Sequence, residues 1–338
     1  MRSVMRGPAR SKPLFALLTF LLALTGVQLG GSATAAGRAP LAPPGSSAQG
    51  RSAEVARYHD ASGRVTVAVF SELAQPAQSV WTDHRVQVTD PSMIAIGGGA
   101  TGAEYPYGAY LTASYPSNDL GSWIVSSKDH NGRRQAHELN GYAIGLKIEG
   151  VDRDQLRAWV NSCSSSRASG APAHAPQATA GINSDRCVML GGGFKVDWLK
   201  DGNIATASYP AMASSSSSGA TWTVRSKDHM VNDLARITSY VMGIPKSLPV
   251  GTVLSRAFSG AGGSAQHPTA SAQVDDGWSL TGAGARVFYH ADGSLLWNLQ
   301  PVVNDTQQYV TASSKDHDSP DAASIVAWAI AIRLVQPA

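Results

Sequence analysis

The sequence predicts an all-β protein built from three tandem copies of one unit, and three observations carry that prediction. The tetrapeptide Ser-Lys-Asp-His occurs three times, beginning at Ser127, Ser226 and Ser314. The same landmarks precede each copy. A glycine-rich strand entry comes first (Gly97-Gly98-Gly99, Gly191-Gly192-Gly193, Gly282-Ala283-Gly284). A short strand running into proline follows (Ser114-Tyr115-Pro116, Ser208-Tyr209-Pro210, Asn298-Leu299-Gln300-Pro301). After each copy, apolar residues alternate with period two: Tyr142, Ile144, Leu146 and Ile148; Tyr240, Met242 and Ile244; Trp328, Ile330, Ile332 and Leu334. That is the pattern of a strand with one apolar face. The alanines of 322–334 would also suit a helix, and the two partner copies favour strand.

Copies two and three follow their predecessors by 99 and 88 residues. The longer spacing spans a Ser/Ala/Pro-rich stretch, Ser164 to Ala180, between the two cysteines. The unit is therefore about 85–90 residues, a normal size for a small domain. We place β repeat 1 at 63–150, β repeat 2 at 151–247 with its insertion at 164–180, and β repeat 3 at 248–338. Each repeat opens on a weakly similar strand (Val69-Phe70-Ser71, Trp159-Val160-Asn161-Ser162, Ala257-Phe258-Ser259). Short apolar runs enter the glycines, and a hairpin with turn chemistry follows at Tyr107-Gly108, Asp201-Gly202 and Asp292-Gly293. A strand led by Trp123, by Trp222, or in repeat 3 by Tyr309 after a one-residue shift then reaches the tetrapeptide. About six strands per unit, with turn signals roughly every ten residues, indicate an antiparallel β-sandwich in each repeat. The alternative is a three-sheet β-prism with pseudo-threefold symmetry.

The first 35 residues read as a signal peptide. Arg2, Arg6, Arg10 and Lys12 precede an apolar run from Leu14 to Leu29, and Ala33-Thr34-Ala35 is a small-x-small cleavage site. Residues 36–62 lack apolar periodicity and read as a disordered leader. The whole chain has 27 basic and 24 acidic residues, and removing the signal peptide leaves 23 and 24, a net charge of −1. Nucleic acid is a poor partner for such a chain, since its binding rests on phosphate neutralisation. No other stretch suits a membrane span. The protein is thus expected to be secreted and extracellular. In an oxidising compartment its only cysteines, Cys163 and Cys187, are expected to pair, closing a loop worth roughly 3 kcal/mol.

Function is written more faintly. The recurrent groups Lys128, Asp129, His130, Lys227, Asp228, His229, Lys315, Asp316 and His317 serve either structure or binding. On the structural reading, the aspartates accept turn N–H groups, the histidines close one repeat against the next, and the lysines point to water. A Ser-His-Asp triad within the tetrapeptide is disfavoured, because adjacent strand residues face opposite ways. Three imidazoles on a threefold axis would suit zinc, yet no repeat has two ligands at motif spacing. No catalytic residue, metal or cofactor is therefore assigned.

Each hairpin does place an aromatic beside an acid: Glu104-Tyr105-Pro106-Tyr107, Asp197-Trp198, and Phe288-Tyr289 near Asp292. Aromatic faces stack on the C–H faces of sugars, and carboxylates take sugar hydroxyls. Tyr107, Trp198, Tyr289, Asp197 and Asp292 are thus the candidate ligand contacts. The expected function is a non-enzymatic, lectin-like protein recognising cell-surface or cell-wall glycans through repeated sites. The alternatives are a secreted hydrolase using the Asp–His pairs and an adhesive or structural module without a small-ligand site.

Overall fold

The computed structural model describes residues 51–105, 108–130, 135–211, 220–304 and 306–335. The signal peptide, most of the leader, Tyr107 and the serine run 214–218 lie outside the described residues. In repeat 1 the strands are β1 (Ala53–His59), β2 (Val65–Gln78), β3 (Val80–Gln87), β4 (Ile94–Thr101), β5 (Tyr110–Pro116), β6 (Ser122–Lys128) and β7 (His137–Ile148). Repeat 2 has a helix, α1 (Arg153–Cys163), then β8 (Ser165–Ala168), β9 (Gln177–Gly181), β10 (Cys187–Asp197), β11 (Ile204–Ala211), β12 (Thr221–Lys227) and β13 (Arg236–Pro245). Repeat 3 has β14 (Ser247–Leu248), β15 (Gly251–Ala265), β16 (Thr269–Gln273), β17 (Ser279–Phe288), β18 (Leu295–Val303), β19 (Gln308–Lys315) and β20 (Ala323–Val335).

The all-β class holds, in three antiparallel sheets, and each sheet crosses a repeat boundary. The strand orders are β1-β2-β7-β4-β18-β19-β16, β3-β6-β5-β10-β13-β8 and β14-β15-β20-β17-β11-β12-β9. The glycine-rich and terminal strands of each repeat therefore share a sheet with the proline and tryptophan strands of another. Repeat 1 takes these from repeat 3, repeat 2 from repeat 1, and repeat 3 from repeat 2. The three seams are short and equivalent: Leu299↔Ala100, Phe194↔Ser114 and Ser208↔Ala285. A cyclic exchange of this kind ties every repeat to both others around one contiguous apolar core.

The glycine triplets explain why this close approach is possible. Gly191 and Gly282 meet each other, and a Cβ on Gly282 would lie 2.6 Å from Gly191 Cα. The middle glycine lies under a tryptophan: a Cβ on Gly98 would sit 2.4 Å from the Trp123 indole, and one on Gly192 2.3 Å from that of Trp222. Both indoles are fully buried and donate from Nε1 to Ser114 Oγ and Ser208 Oγ, each at 2.8 Å. Repeat 3 changes all three positions together. Pairing places Val310 opposite Pro301, as Trp222 lies opposite Pro210. There Ala283 replaces the middle glycine and Leu299 the serine. A smaller side chain above admits a Cβ below, and with no indole N–H the hydroxyl partner is not required.

Three stretches differ from expectation. The tail of the leader is not disordered: Ala53–His59 pairs with β2. The supposed opening strand at Trp159–Ser162 lies in α1. Asp152 caps that helix by accepting from the Gln155 N–H at 2.8 Å, and Leu156, Val160 and Cys163 supply its buried stripe. The Ser/Ala/Pro-rich insertion is ordered at both ends, where β8 pairs with β13 and β9 with β12. Polar composition here reflects edge strands, β8 exposed throughout and β9 with one buried face. Cys163 and Cys187 form the expected disulfide, with Cα atoms 5.9 Å apart. The last strand of repeat 3 is a strand, as its repeat partners indicate. Among the described residues no helix is long and apolar enough to cross a membrane, which leaves β-barrel spans unaddressed.

Candidate functional site

The three tetrapeptides end β6, β12 and β19, and the strand exchange brings each one against the hairpin of the next repeat. Lys128 Nζ donates to the Lys200 carbonyl at 2.7 Å in repeat 2. Lys227 Nζ donates to the carbonyls of Ala291, Asp292 and Gly293 in repeat 3, at 2.8, 2.5 and 2.9 Å. Lys315 Nζ closes the cycle on the carbonyls of Ala103 and Glu104 in repeat 1, at 2.6 and 3.1 Å. The lysines do not point to water. All three are buried, because an ammonium is the group that can satisfy several converging carbonyls at once. Burial pushes Lys128 and Lys227 down to about 8 and Lys315 to about 7, against the pull of neighbouring carboxylates. Lys227→Met, which keeps the stem and removes the charge, is expected to cost about 2–3 kcal/mol in urea unfolding. Lys147→Met, at a partly exposed position, should stay within about 0.5 kcal/mol.

The aromatics assigned to ligand contact have a second task. Trp198 is half-buried with Lys128 Nζ 4.3 Å from its ring centre, and Tyr289 stands 4.3 Å from Lys227 Nζ. Each roofs the lysine that enters its hairpin, a cation–π contact that leaves the outer ring face to solvent. Asp197 and Asp292 are exposed beside them. In repeat 1 the described aromatic of the hairpin is Tyr105, 70 % exposed.

Two of the three tetrapeptide aspartates accept backbone N–H groups of nearby turns, and the third, Asp228, meets side chains. Asp129 accepts from the N–H groups of Ala109 and Gln135, and Asp316 from that of Asp321 at 2.8 Å. Asp228 meets His174 Nδ1 at 2.5 Å and the Asn203 amide at 3.2 Å. Two further carboxylates escaped the sequence reading. Asp233 accepts from the N–H groups of Leu199, Lys200 and Asn203, and Asp321 from those of His290 and Ala291. Each follows its tetrapeptide aspartate by five residues, and that shared spacing was the available signal.

The histidines converge. The His130 ring centre lies 4.4 Å from that of His229 and 4.6 Å from that of His317, with Tyr110 at 5.3 Å. All three imidazoles are buried. His317 Nδ1 and His130 Nε2 are 2.5 Å apart, and His317 Nε2 lies 3.2 Å from Asp318 Oδ1. His229 Nδ1 donates to the Asp292 carbonyl at 2.7 Å. Desolvation, reinforced by the other two rings and by Lys315 and Lys128, pushes His130 down to about 3. Ligand atoms of His130, His317 and Asp318 all lie within 4.8 Å of one another.

A triad inside one tetrapeptide is not formed. Ser127 Oγ instead meets His137 Nε2 at 2.8 Å, with His137 Nδ1 3.7 Å from Asp129 Oδ1. Ser127 is fully buried, so its hydroxyl is not presented to a substrate. His137, two residues before Leu139 in the terminal strand, carried no motif that would have singled it out.

Beside the histidines, a cleft of about 230 Å³ opens at the junction of repeats 3 and 1. Glu104, Tyr105, His267, Asp316, His317 and Asp318 are among its walls. His267 Nδ1 lies 3.0 Å from Glu104 Oε1, and its ring is 5.6 Å from that of Tyr105. Carboxylates, imidazole and an exposed phenol ring thus share one small concavity. No protein-family model matches the chain, and no curated protein matches it.

Proposed function

We propose that this is an exported, non-enzymatic binding protein that recognises glycans of a cell surface or wall, with its principal site in the cleft between repeats 3 and 1. The observation that carries this reading is the lining of that cleft. Tyr105 offers an exposed aromatic face, and Glu104, His267, Asp316 and Asp318 offer acceptors for hydroxyls around it. The volume of about 230 Å³ suits one sugar ring and part of a second. The hairpins carrying Trp198 with Asp197 and Tyr289 with Asp292 repeat the aromatic-plus-acid pairing. Weaker sites on one rigid body raise avidity without tighter single contacts. Export is supported by the basic, apolar and small-residue leader and by the Cys163–Cys187 bridge.

A glycan array with the mature chain tests this. Saccharide binding is expected, with Tyr105→Ala weakening it at least about fivefold through loss of a stacking contact worth ~1 kcal/mol. Trp198→Ala is expected to weaken it less and to lower the melting temperature, since the indole also covers Lys128. Silence on the array, together with turnover of a chromogenic ester or glycoside that one histidine substitution abolishes, would replace this reading with a hydrolase. Silence in both assays would leave an adhesive module.

A further inference from the structure

We infer that His130, His317 and Asp318 bind one divalent transition-metal ion of the zinc class, with His229 packed against His130 as a neighbour of the site. The inference is independent of what the cleft binds. It begins with hydrogen-bond accounting among three buried rings. The N···N contact between His317 Nδ1 and His130 Nε2 satisfies one nitrogen on each. Among the described residues, His130 Nδ1 and His229 Nε2 remain buried with no hydrogen-bond partner. His229 has given its N–H to the Asp292 carbonyl, so its Nε2 is a bare lone pair. A ring nitrogen fixed as a lone pair by a carbonyl on its opposite side is the arrangement that metal-binding histidines adopt.

The spacing fits as well. Bonds of about 2.0–2.1 Å place neighbouring ligands of a tetrahedral ion about 3.3 Å apart. The 3.2 Å between His317 Nε2 and Asp318 Oδ1 matches that edge, and a ligand atom of His130 lies within 4.8 Å of both, a gap that a rotation of the His130 ring closes. Imidazole nitrogens with a carboxylate select zinc, cobalt, nickel or copper over calcium and magnesium, which require oxygen ligands. Asp318 is a feature of repeat 3 alone. The residue after the tetrapeptide takes a left-handed backbone, φ +54° at Asp318 and +59° at Met230 in repeat 2, and only the former brings a carboxylate there. His317 and Asp318 also line the cleft, which provides the ion with an entry path and an open coordination position.

The test uses the untagged mature chain, stripped with chelator and titrated with Co2+ by visible absorption and with Zn2+ by equilibrium dialysis. One equivalent per chain is expected. His317→Ala should weaken binding at least about 100-fold and Asp318→Asn about tenfold. His59→Ala, on a surface strand remote in sequence from the cluster, should leave it unchanged. Asp318 faces solvent, so Asp318→Asn decides the matter if His317→Ala fails to fold. Absence of stoichiometric binding, or affinity unaltered in both cluster variants, overturns the inference.

Discussion

Gly192→Ala is expected to destabilise the protein by about 3 kcal/mol or more, and Trp222→Val in the same chain is expected to add much less than it costs alone. The first half follows from contact distances. The new Cβ would stand 2.3 Å from the Trp222 ring and 2.5 Å from the Tyr240 carbonyl oxygen, well inside van der Waals contact. The indole cannot swing aside, because it is fully buried and tied to Ser208 by its N–H. Overpacking a rigid core costs about 1–3 kcal/mol, and a backbone oxygen as the obstacle puts this case at the upper end. Trp222→Val alone should also cost about 3 kcal/mol through the cavity it leaves. The second half follows from repeat 3, where Ala283 and Val310 occupy the same pair of positions in the native chain. The two substitutions should therefore couple, the double variant falling short of the sum by at least ~2 kcal/mol. Adding Ser208→Leu, the third member of the set, should extend the coupling. Urea unfolding of the four chains measures the cycle. Strict additivity would show that the glycine triplets have some other purpose.

The same positions show how far the sequence could be read. Period-two alternation around Tyr142, Tyr240 and Trp328 announces strands because large apolar side chains alternate with small residues such as Ala143 and Gly145, although the central stretch is buried on both faces. Which repeat supplies each strand's neighbour cannot be read from the pattern. Leu299 pairs with Ala100 across 199 positions, and nothing near either residue encodes the other. The helix Arg153–Cys163 was legible in principle, through its Asp152 cap and the Leu156, Val160, Cys163 stripe. Repeat analogy with Val69 and Phe258 outweighed those local signals. The tetrapeptide histidines gave the reverse case. Their recurrence in three copies was plain, while their convergence depends on cyclic closure, a property of the assembled sheets. The lysines misled for a general reason. An isolated lysine belongs in water, and only the hairpin carbonyls of another repeat make burial of Lys227 favourable.

Acidification is expected to unfold the metal-free chain, with roughly 4 kcal/mol of stability lost between pH 6.5 and pH 4. Burial lowers His84, His130, His137 and His229 below the ordinary histidine value of 6.5, to about 3 for His130 and about 4 for His137. For a group depressed by folding, the unfolded chain takes up the proton first as pH falls. Its contribution is therefore complete above about 6.5 and is lost progressively below it. Over the 2.5 pH units down to pH 4, His130 and His137 each contribute a loss of about 3 kcal/mol, at about 1.4 kcal/mol per unit. Asp129 acts in the opposite direction. Desolvation raises it to about 6 from 3.8, so the folded chain takes up that proton first and gains about 2 kcal/mol between pH 6 and pH 4. Glu72, also raised by desolvation, adds to Asp129, while His84 and His229 add to the histidines, and the two large histidine shifts decide the balance. Urea midpoints measured at pH 7, 5.5 and 4 in the presence of chelator give the slope. His137→Gln should flatten it by removing one of the two large contributions, at some cost in stability at pH 7 through the Ser127 contact. A midpoint independent of pH over this range would mean that the imidazoles are hydrated in solution, and the buried cluster with them would have to be abandoned.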